Sequence, residues 1–406
     1  MNTNRALSKT IILGFLFLLC FAKAHGQDPT LPKHHKALSE YSDLHDGKAL
    51  LIMIEGKVVF ESYANKLGET LGHPLASGTK SFTGVLAACA AKDGLLTLDE
   101  KVSDTIIEWK EDKLKAEITI RQLLSLTSGI DPGKSGKGVP SYKESIQSTM
   151  KDMPGKRFRY GPAPFQIFGE LLHRKLKDES VNDYLKKRIL DPIGMKPTFW
   201  RKDKDKNPHL PSGATFNAKE WAKFGELVRL KGVWQGEELL DPDVLDACFE
   251  PSGANPRYGV SFWLGNKKIK HIPEDIVYAA GKGHQRLYIS RKHKLVVVRQ
   301  SPVFSTAPFN DEEFLSLLFT GEKRTVEKKV SENIKRRAKS FLRLYDKNGN
   351  NELSKDELTE NFASLLLQFD FDNNGELSEE ELVRILSLRR INGDPSKRFA
   401  GRLTPI

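Results

Sequence analysis

A chain of 406 residues is too long for one typical core, so two or more folding units are expected. Its 39% hydrophobic and 29% charged residues suit a soluble globular protein able to bury a sizeable core. Three cysteines are too few for a disulfide scaffold or a thiolate zinc site, and a net charge of +11 does not by itself imply nucleic acid.

The N-terminus stands apart from the rest. Arg5 and Lys9 precede an apolar run from Ile11 to Phe21, and small residues follow in Ala22-Lys23-Ala24. That order predicts a signal peptide over residues 1–24, cleaved near Ala24 or Gly26, because the run falls well short of the roughly 20 residues that span a bilayer. The expectation is an exported protein, periplasmic or extracellular, with no transmembrane segment after processing. Removing Arg5, Lys9 and Lys23 leaves a formal charge of +8, which suits anionic envelope polymers as partners, or simply a solvated basic surface. Only Cys89 and Cys248 remain, enough for one disulfide at most.

The strand-rich runs 49–54 and 57–63 flank Glu55-Gly56, which predicts a tight hairpin. From Ser77 to about Lys92 the pattern is helical and ends at Asp93-Gly94, where glycine can take the left-handed conformation that stops a helix. A second amphipathic stretch, Ile120 to Ser125, ends at Ser128-Gly129, and further helices are expected over 165–176, 180–190 and 218–231. Strand character returns over 258–264, 286–290 and 294–300. Strands at both ends with helices between them predict an antiparallel sheet closed by the two chain ends, with a helical insert. This unit covers 28–320. Residues 321–340, rich in Lys, Arg and Glu, predict a charged helical linker to a distinct unit over 341–390.

Ser77-Gly78-Thr79-Lys80 is a Ser-x-x-Lys motif, and residues three apart share a helix face, so hydroxyl and amine can meet. Ser148-Thr149-Met150-Lys151 has the same spacing, so context must separate the two. Ser77 opens a predicted helix directly after a strand pair, where the helix N-terminus offers N–H groups and positive potential to a developing oxyanion. Ser148 has no such setting. A serine hydroxyl is a poor nucleophile without a neighbouring base, and Lys80 is the candidate, against the plain alternative of a surface lysine.

The blocks Ala76-Ser77-Gly78-Thr79-Lys80-Ser81-Phe82-Thr83-Gly84, Gly94-Leu95-Leu96-Thr97-Leu98-Asp99 and Ile118-Thr119-Ile120-Arg121-Gln122-Leu123-Leu124-Ser125-Leu126-Thr127-Ser128-Gly129 resemble the class C beta-lactamase-related serine hydrolases. The likeness extends over residues 35–320 and includes Ser212-Gly213 and Trp221-Ala222-Lys223-Phe224-Gly225. It implies an α/β fold, an antiparallel sheet flanked by helices with an all-α lobe, and an acyl-enzyme route through Ser77. It also implies that Tyr160, in Arg159-Tyr160-Gly161-Pro162, takes the place of the tyrosine in the family's Tyr-x-Asn and serves as general base beside Lys80. Pro162 stands where the asparagine would be and has no side-chain amide to offer a substrate carbonyl. The family's Lys/His-x-Gly triplet, which opens a strand along the cleft, best matches Gly281-Lys282-Gly283. The N–H of His284 would then join that of Ser77 in the oxyanion hole, with Gly283 and Gln285 beside the substrate. A register shift by one would bring Lys282 into play, and the plain alternative is a glycine turn before a strand. Leu126 stands where many relatives carry histidine, so no histidine triad is implied.

Two segments near the C-terminus match the twelve-residue EF-hand calcium loop. The first offers Asp346, Asn348, Asn350, Ser354 and Glu357 as oxygen ligands, with the backbone of Glu352 at position seven. The second offers Asp370, Asp372, Asn374, Ser378 and Glu381, with the backbone of Glu376. The second has glycine at position six and three acidic ligands, whereas the first has Asn351 there and two, so the first should bind more weakly. Apolar positions such as Ala338, Phe341, Leu342, Leu382 and Ile385 supply helix faces for a small paired core, which an acidic disordered tail would lack.

Together these readings predict an α/β serine hydrolase domain followed by a small all-α EF-hand domain. The expected activity is hydrolysis of a small-molecule or peptide ester or amide, of esterase, amidase or D,D-peptidase type. Beta-lactams fall within that class. Calcium is the expected ion, in the loops only, and catalysis needs no cofactor. The rival expectation is a non-catalytic envelope protein that binds wall peptides on the same fold, suggested by the altered Tyr160-Gly161-Pro162 and Gly281-Lys282-Gly283 motifs.

Overall fold

Helix α1 (His35–Leu44) leads into β1 (Ala49–Ile54) and β2 (Lys57–Tyr63), which pair antiparallel as the Glu55-Gly56 signal predicts. Glu55 at φ +52° and Gly56 at φ +78° supply the two successive left-handed residues that match the twist of a hairpin. The computed structural model describes residues 34–64, 68–134, 138–305, 307–324, 332–358, 370 and 374–383. The expected signal peptide, the segment joining the two C-terminal loops and Asp372 lie outside the described residues.

After β3 (His73–Pro74) comes a 3₁₀ turn, Ala76–Thr79, that runs straight into α2 (Lys80–Lys92). Every residue of α2 from Lys80 to Ala90 is buried, so the helix shows no amphipathic stripe. Gly84 lets a loop cross it closely, since an added Cβ would stand 2.9 Å from the Val260 carbonyl. A helical lobe follows: α3 (Ile120–Leu124), α4 (Tyr142–Ser145), α5 (Ala163–Leu176) and α6 (Val181–Leu185), the last continuing as a π-helical turn over 186–190. Capping boxes start α3 (Thr119 with Gln122) and α4 (Ser141 with Glu144), each satisfying two otherwise orphaned N–H groups.

Strands β4 (Phe199–Trp200) and β5 (Ala214–Phe216) join β3 in a small sheet ordered β3-β5-β4, which ties the exit of the lobe to the turn before α2. Helix α7 (Ala218–Arg229), the hairpin of β6 (Val233–Trp234) and β7 (Glu237–Glu238), and α8 (Pro242–Ala247) come next. Strands β8 (Trp263–Leu264), β9 (Val277–Gly281), β10 (Gln285–Ser290) and β11 (Leu295–Gln300) then complete a six-stranded antiparallel sheet ordered β2-β1-β11-β10-β9-β8. The two chain ends meet inside it, β1 beside β11, as the sequence predicts.

Side chains alternate across this sheet with the strand period of two. Leu50, Ile52, Tyr288 and Val297 pack with Leu38 of α1 and Phe314 of α9 (Asp311–Thr320). Leu51, Leu287, Val296 and Val298 pack with α2 and α7. Two expectations need correction. The strand expected over 258–264 shrinks to β8 because Ser261 takes φ +66° and Gly259 is wedged against the Cys248 carbonyl. β9 is a strand that the sequence reading missed, since two alanines and a glycine dilute its β signal. Cys89 and Cys248 are both free and buried, so the one disulfide the sequence allows does not form.

Helix α10 (Glu332–Tyr345) starts inside the expected linker and packs Ala338 and Leu342 against Leu353, Leu377 and Leu382, a core separate from the main one. Short strands β12 (Glu352–Ser354) and β13 (Glu376–Ser378) pair antiparallel there with Leu353 opposite Leu377. No helix among the described residues is long and apolar enough to cross a membrane.

Gly225 shows what holds α7 on the sheet. Alanine ordinarily stabilises a helix interior by about 1 kcal/mol over glycine. Here an added Cβ would stand 2.6 Å from Val296 Cγ1 and 2.8 Å from Leu287 Cδ1, so overpacking of about 1–3 kcal/mol wins. Gly225→Ala should therefore destabilise in urea titration, while Gly253→Ala, with open space around it, should stay within about 0.5 kcal/mol of the parent.

Candidate active site

Ser77 sits in the turn that leads into α2, and the residue before it, Ala76, holds φ +48°. A non-glycine residue in that region is strained, and it persists because the turn is fixed on both sides. Leu75 N–H donates to the Ala214 carbonyl (2.9 Å), Thr79 Oγ1 donates to the Ala76 carbonyl (2.8 Å), and Thr79 Oγ1 accepts from Ala214 N–H (3.2 Å). On Gly78 an added Cβ would lie 3.1 Å from the Trp221 ring. The turn is thereby clamped between β5 and α7.

Lys80, 3% exposed, extends back along the helix so that Nζ donates to Ser77 Oγ (3.1 Å) and to the Pro211 carbonyl (3.0 Å). Its amine also lies 4.9 Å from the Tyr160 ring centroid and 5.4 Å from that of Phe165. Burial pulls its pKa from 10.5 down to about 7. The competing Ser148 motif is not assembled in this way, for Lys151 pairs with Asp131 at 3.3 Å.

Tyr160 is 36% exposed and stands at the entrance to α5, whose N-cap is Pro162. Burial of the phenol pushes its pKa above the ordinary value, opposed by the neighbouring Ser77 hydroxyl, the Arg286 cation and Trp263. The Trp263 ring centroid lies 5.7 Å from that of Tyr160. Ser77 and Lys80 from the turn into α2 are thus brought together with Tyr160 from the entrance to α5.

The glycine triplet is placed differently from expectation. Gly281 ends β9 instead of opening a strand, and Lys282, Gly283 and His284 form the turn to β10. It is Gly281 that meets the serine turn: an added Cβ would collide with the Leu75 carbonyl and stand 3.1 Å from Gly78 N. The other three residues are engaged with the chain beyond β11. Gly283 packs against Pro302 and Val303, the His284 ring bonds the Ala307 carbonyl (3.0 Å), and Gln285 Nε2 donates to the Ser301 carbonyl. The His284 and Gln285 side chains are thus tied to the chain after β11, and Gly281 is the residue of the triplet set against the serine turn.

His209 was not foreseen. It is 5% exposed, its ring meets Arg201 Nη2 at 2.9 Å and Ser212 Oγ at 3.2 Å, and burial with the nearby Arg201 and Lys80 cations lowers its pKa to about 4. It holds the loop whose Pro211 carbonyl receives Lys80. A histidine two residues before Pro211 is its only sequence trace.

The C-terminal loops fold back on themselves in matching ways. Asp346 accepts from the N–H groups of Gly349 (2.6 Å) and Asn351 (2.9 Å), Asn348 from Asn350 (2.9 Å), and Asn350 from Glu352 (3.0 Å). Glu357 reaches over the loop start to accept from Lys347 (2.7 Å), Asn348 (3.0 Å) and Ser354 (3.0 Å), which lowers its pKa to about 2. In the second loop Asp370 accepts from Asn374 (3.0 Å) and Gly375 (2.8 Å), Asn374 from Glu376 (2.8 Å), and Glu381 from Ser378 (2.9 Å). Position six is left-handed in both, Asn351 at φ +64° and Gly375 at φ +87°. An all-oxygen donor set curled around a sharp turn fits a hard divalent cation. Among the described residues no group of three or more His, Cys, Asp or Glu gathers for a metal, as the first loop has two acids and Asp372 lies outside.

A family model described as Beta-lactamase matches residues 38–318. Over 182 residues the chain is 28% identical to Protein flp of Staphylococcus aureus strain MW2, a match covering 40% of this chain and only 36% of that relative's length. A Bacillus anthracis structure described as a candidate 6-aminohexanoate-dimer hydrolase superposes with TM-score 0.58 at 20% identity, covering 70% of this chain and 80% of its own. A family VIII carboxylesterase superposes with TM-score 0.56 at 16% identity, covering 72% and 97%. Both likenesses show the shared fold. With the match running from within α1 to within α9, the chain belongs to the Beta-lactamase family.

Proposed function

We propose that this chain is an exported serine hydrolase that cleaves an ester or amide through a Ser77 acyl-enzyme, and that it carries a calcium-binding EF-hand pair. The contact of Lys80 Nζ with Ser77 Oγ at 3.1 Å, in a site dry enough to hold that amine near neutrality, carries the reading. A neutral Lys80 takes the serine proton as Oγ attacks the carbonyl. Tyr160, kept protonated by its raised pKa, returns a proton to the leaving group. Water then attacks the acyl carbonyl and gives a proton to the Tyr160 phenolate, while Lys80 returns its proton to Ser77 Oγ as the acid leaves.

The oxyanion needs preorganised donors. One is the N–H of Ser77, in the first turn of a helix where N–H groups lack intrahelical partners. The second is the N–H of Lys282. The Gly281 carbonyl accepts from Arg286 of β10 at 3.3 Å, so the N–H of the same trans peptide points the opposite way, toward the edge where Gly281 meets the serine turn. Pro162 removes one amide from the binding site, which favours substrates held through few polar contacts. Anionic envelope polymers remain the proposed partners of the basic mature chain.

Calcium would be held by the loop oxygens of Asp346, Asn348, Asn350 and Glu357, and by those of Asp370, Asn374 and Glu381, with Glu352 and Glu376 giving backbone oxygens and Ser354 and Ser378 flanking them. The ion would neutralise the loop carboxylates and fasten each loop's end to its start.

Four measurements test these assignments. A fluorophosphonate should add one adduct by intact mass, absent in Ser77→Ala; no adduct on the parent sinks the enzyme reading. The kcat/KM for short-chain aryl esters should fall as pH drops below about 7, as Lys80 takes up its proton, and Tyr160→Phe should cost roughly 10²–10⁴-fold. Stability follows the same group. Between pH 7 and 10.5 the unfolded chain holds a proton on Lys80 that the folded chain does not, so stability rises with pH across that window, and Lys80→Met should abolish the rise in urea titrations. Finally, calorimetry of the full mature chain should show a transition that moves down when EDTA replaces calcium; identical traces would remove calcium from the account.

A further inference from the structure

Arg286 lies on β10 directly opposite Ala280 and is only 12% exposed in its side chain. Its guanidinium grips Asp311, the first residue of α9, through Nε to Oδ1 (2.6 Å) and Nη2 to Oδ2 (3.1 Å). Tyr288 OH donates to the same carboxylate at 2.5 Å and holds it in place. The remaining nitrogen, Nη1, donates to the carbonyls of Gly281 (3.3 Å) and Gln285 (3.0 Å). A planar guanidinium can serve both sides at once, a carboxylate on one edge and carbonyls on the other.

We infer that Arg286 is a positioning residue of the Ser77 site, fixing the Gly281–Lys282 peptide from behind so that its N–H stays aimed at the reacting carbonyl. Asp311 fixes Arg286 in turn, so α9 is tied to the chemistry through one guanidinium. The inference rests on the reading of Ser77 and Tyr160 as reacting groups.

Arg286 also acts on Tyr160 through charge, since its cation favours the phenolate. Other titratable groups face the pair. Lys80 and Tyr258 flank Tyr160, while Asp311, Tyr288, Tyr278, His284 and Arg299 surround Arg286. Arg286 has no part in the lowering of Lys80, which burial causes. The two limbs of a pH profile therefore respond to it differently.

The experiment measures kcat/KM for an aryl ester from pH 5 to 11 in the mature full-length chain and in Arg286→Lys and Arg286→Gln, with folded fraction read by near-UV circular dichroism. Arg286→Lys keeps the charge but cannot span Asp311 and Gly281 together, so its plateau should fall by about tenfold to a hundredfold with both limbs in place. Arg286→Gln should show the same loss plus a basic limb moved to higher pH, because the phenol loses a cation that helps it ionise. The acid limb should not move in either. A plateau within twofold of the parent in Arg286→Lys, or a loss fully accounted for by unfolded protein, overturns the inference, and that variant decides if Arg286→Gln fails to fold. An inert parent sinks the Ser77 reading itself and is distinguishable from either result.

Discussion

Everything at the candidate site depends on keeping one lysine amine out of water. Among the described residues the Lys80 ammonium meets neutral oxygens, Ser77 Oγ and the Pro211 carbonyl, and two ring faces. Such contacts do not offset the loss of hydration of a full charge, whose removal from water costs several kcal/mol even after relaxation. The cheaper solution is to release the proton, which turns a solvated cation into a base. The fold accepts further cost in the same place: Ala76 at φ +48° keeps Ser77 turned toward the amine, and it holds because β5 and α7 clamp the turn.

The rest of the domain reads as support for that burial. Small residues in α2 let it run through the interior with no exposed face, so a lysine at its start is enclosed on all sides. Sequence-distant strands then deliver the remaining groups. β1 and β11 join the chain ends, β10 pairs with β11, and β9 pairs with β10, which sets Gly281 against the serine turn. A slip of one residue between β9 and β10 would turn Arg286 to the other face and break its bonds to Gly281 and Asp311 at once.

What could be read in advance was local. The Glu55-Gly56 hairpin, the helix from Ser77 to Lys92 and the pairing of Ser77 with Lys80 all follow from residues within one turn of each other. Spacing alone could not separate Ser77 from Ser148; the helix start after a strand pair did, and the Asp131 that takes Lys151 away adds a contact no local pattern announces. β9 was invisible because Ala279, Ala280 and Gly281 carry little strand propensity, and the same gap led the glycine triplet to be read as opening the following strand. Arg286 with Asp311, and His209 beneath Pro211, are long-range arrangements that only the closed sheet and the small β3-β5-β4 sheet create. The capping boxes at Thr119 and Ser141 were legible but unread.

The C-terminal unit depends on a different kind of contact, polar pairing between its loops. Among the described residues its core gathers Ala338, Leu342, Leu353, Leu377 and Leu382, with Phe341, Tyr345, Leu358 and Val383 packed against them. Two reciprocal contacts link its loops. Asn350 Nδ2 donates to Glu376 Oε2 at 2.9 Å, and Asn374 Nδ2 to Glu352 Oε2 at 3.5 Å, each from position five of one loop to position seven of the other. Those asparagines are also the ones whose Oδ1 atoms turn inward in their own loops, so ordering one loop places a donor for its partner. On the calcium reading, the ion's main effect is structural: binding energy adds to the folding free energy of a unit whose two loops are already paired through a two-stranded ladder. Asn351 takes the left-handed conformation where the second loop has glycine, which costs an asparagine more, and its N–H donates to Asp346 at 2.9 Å within that turn.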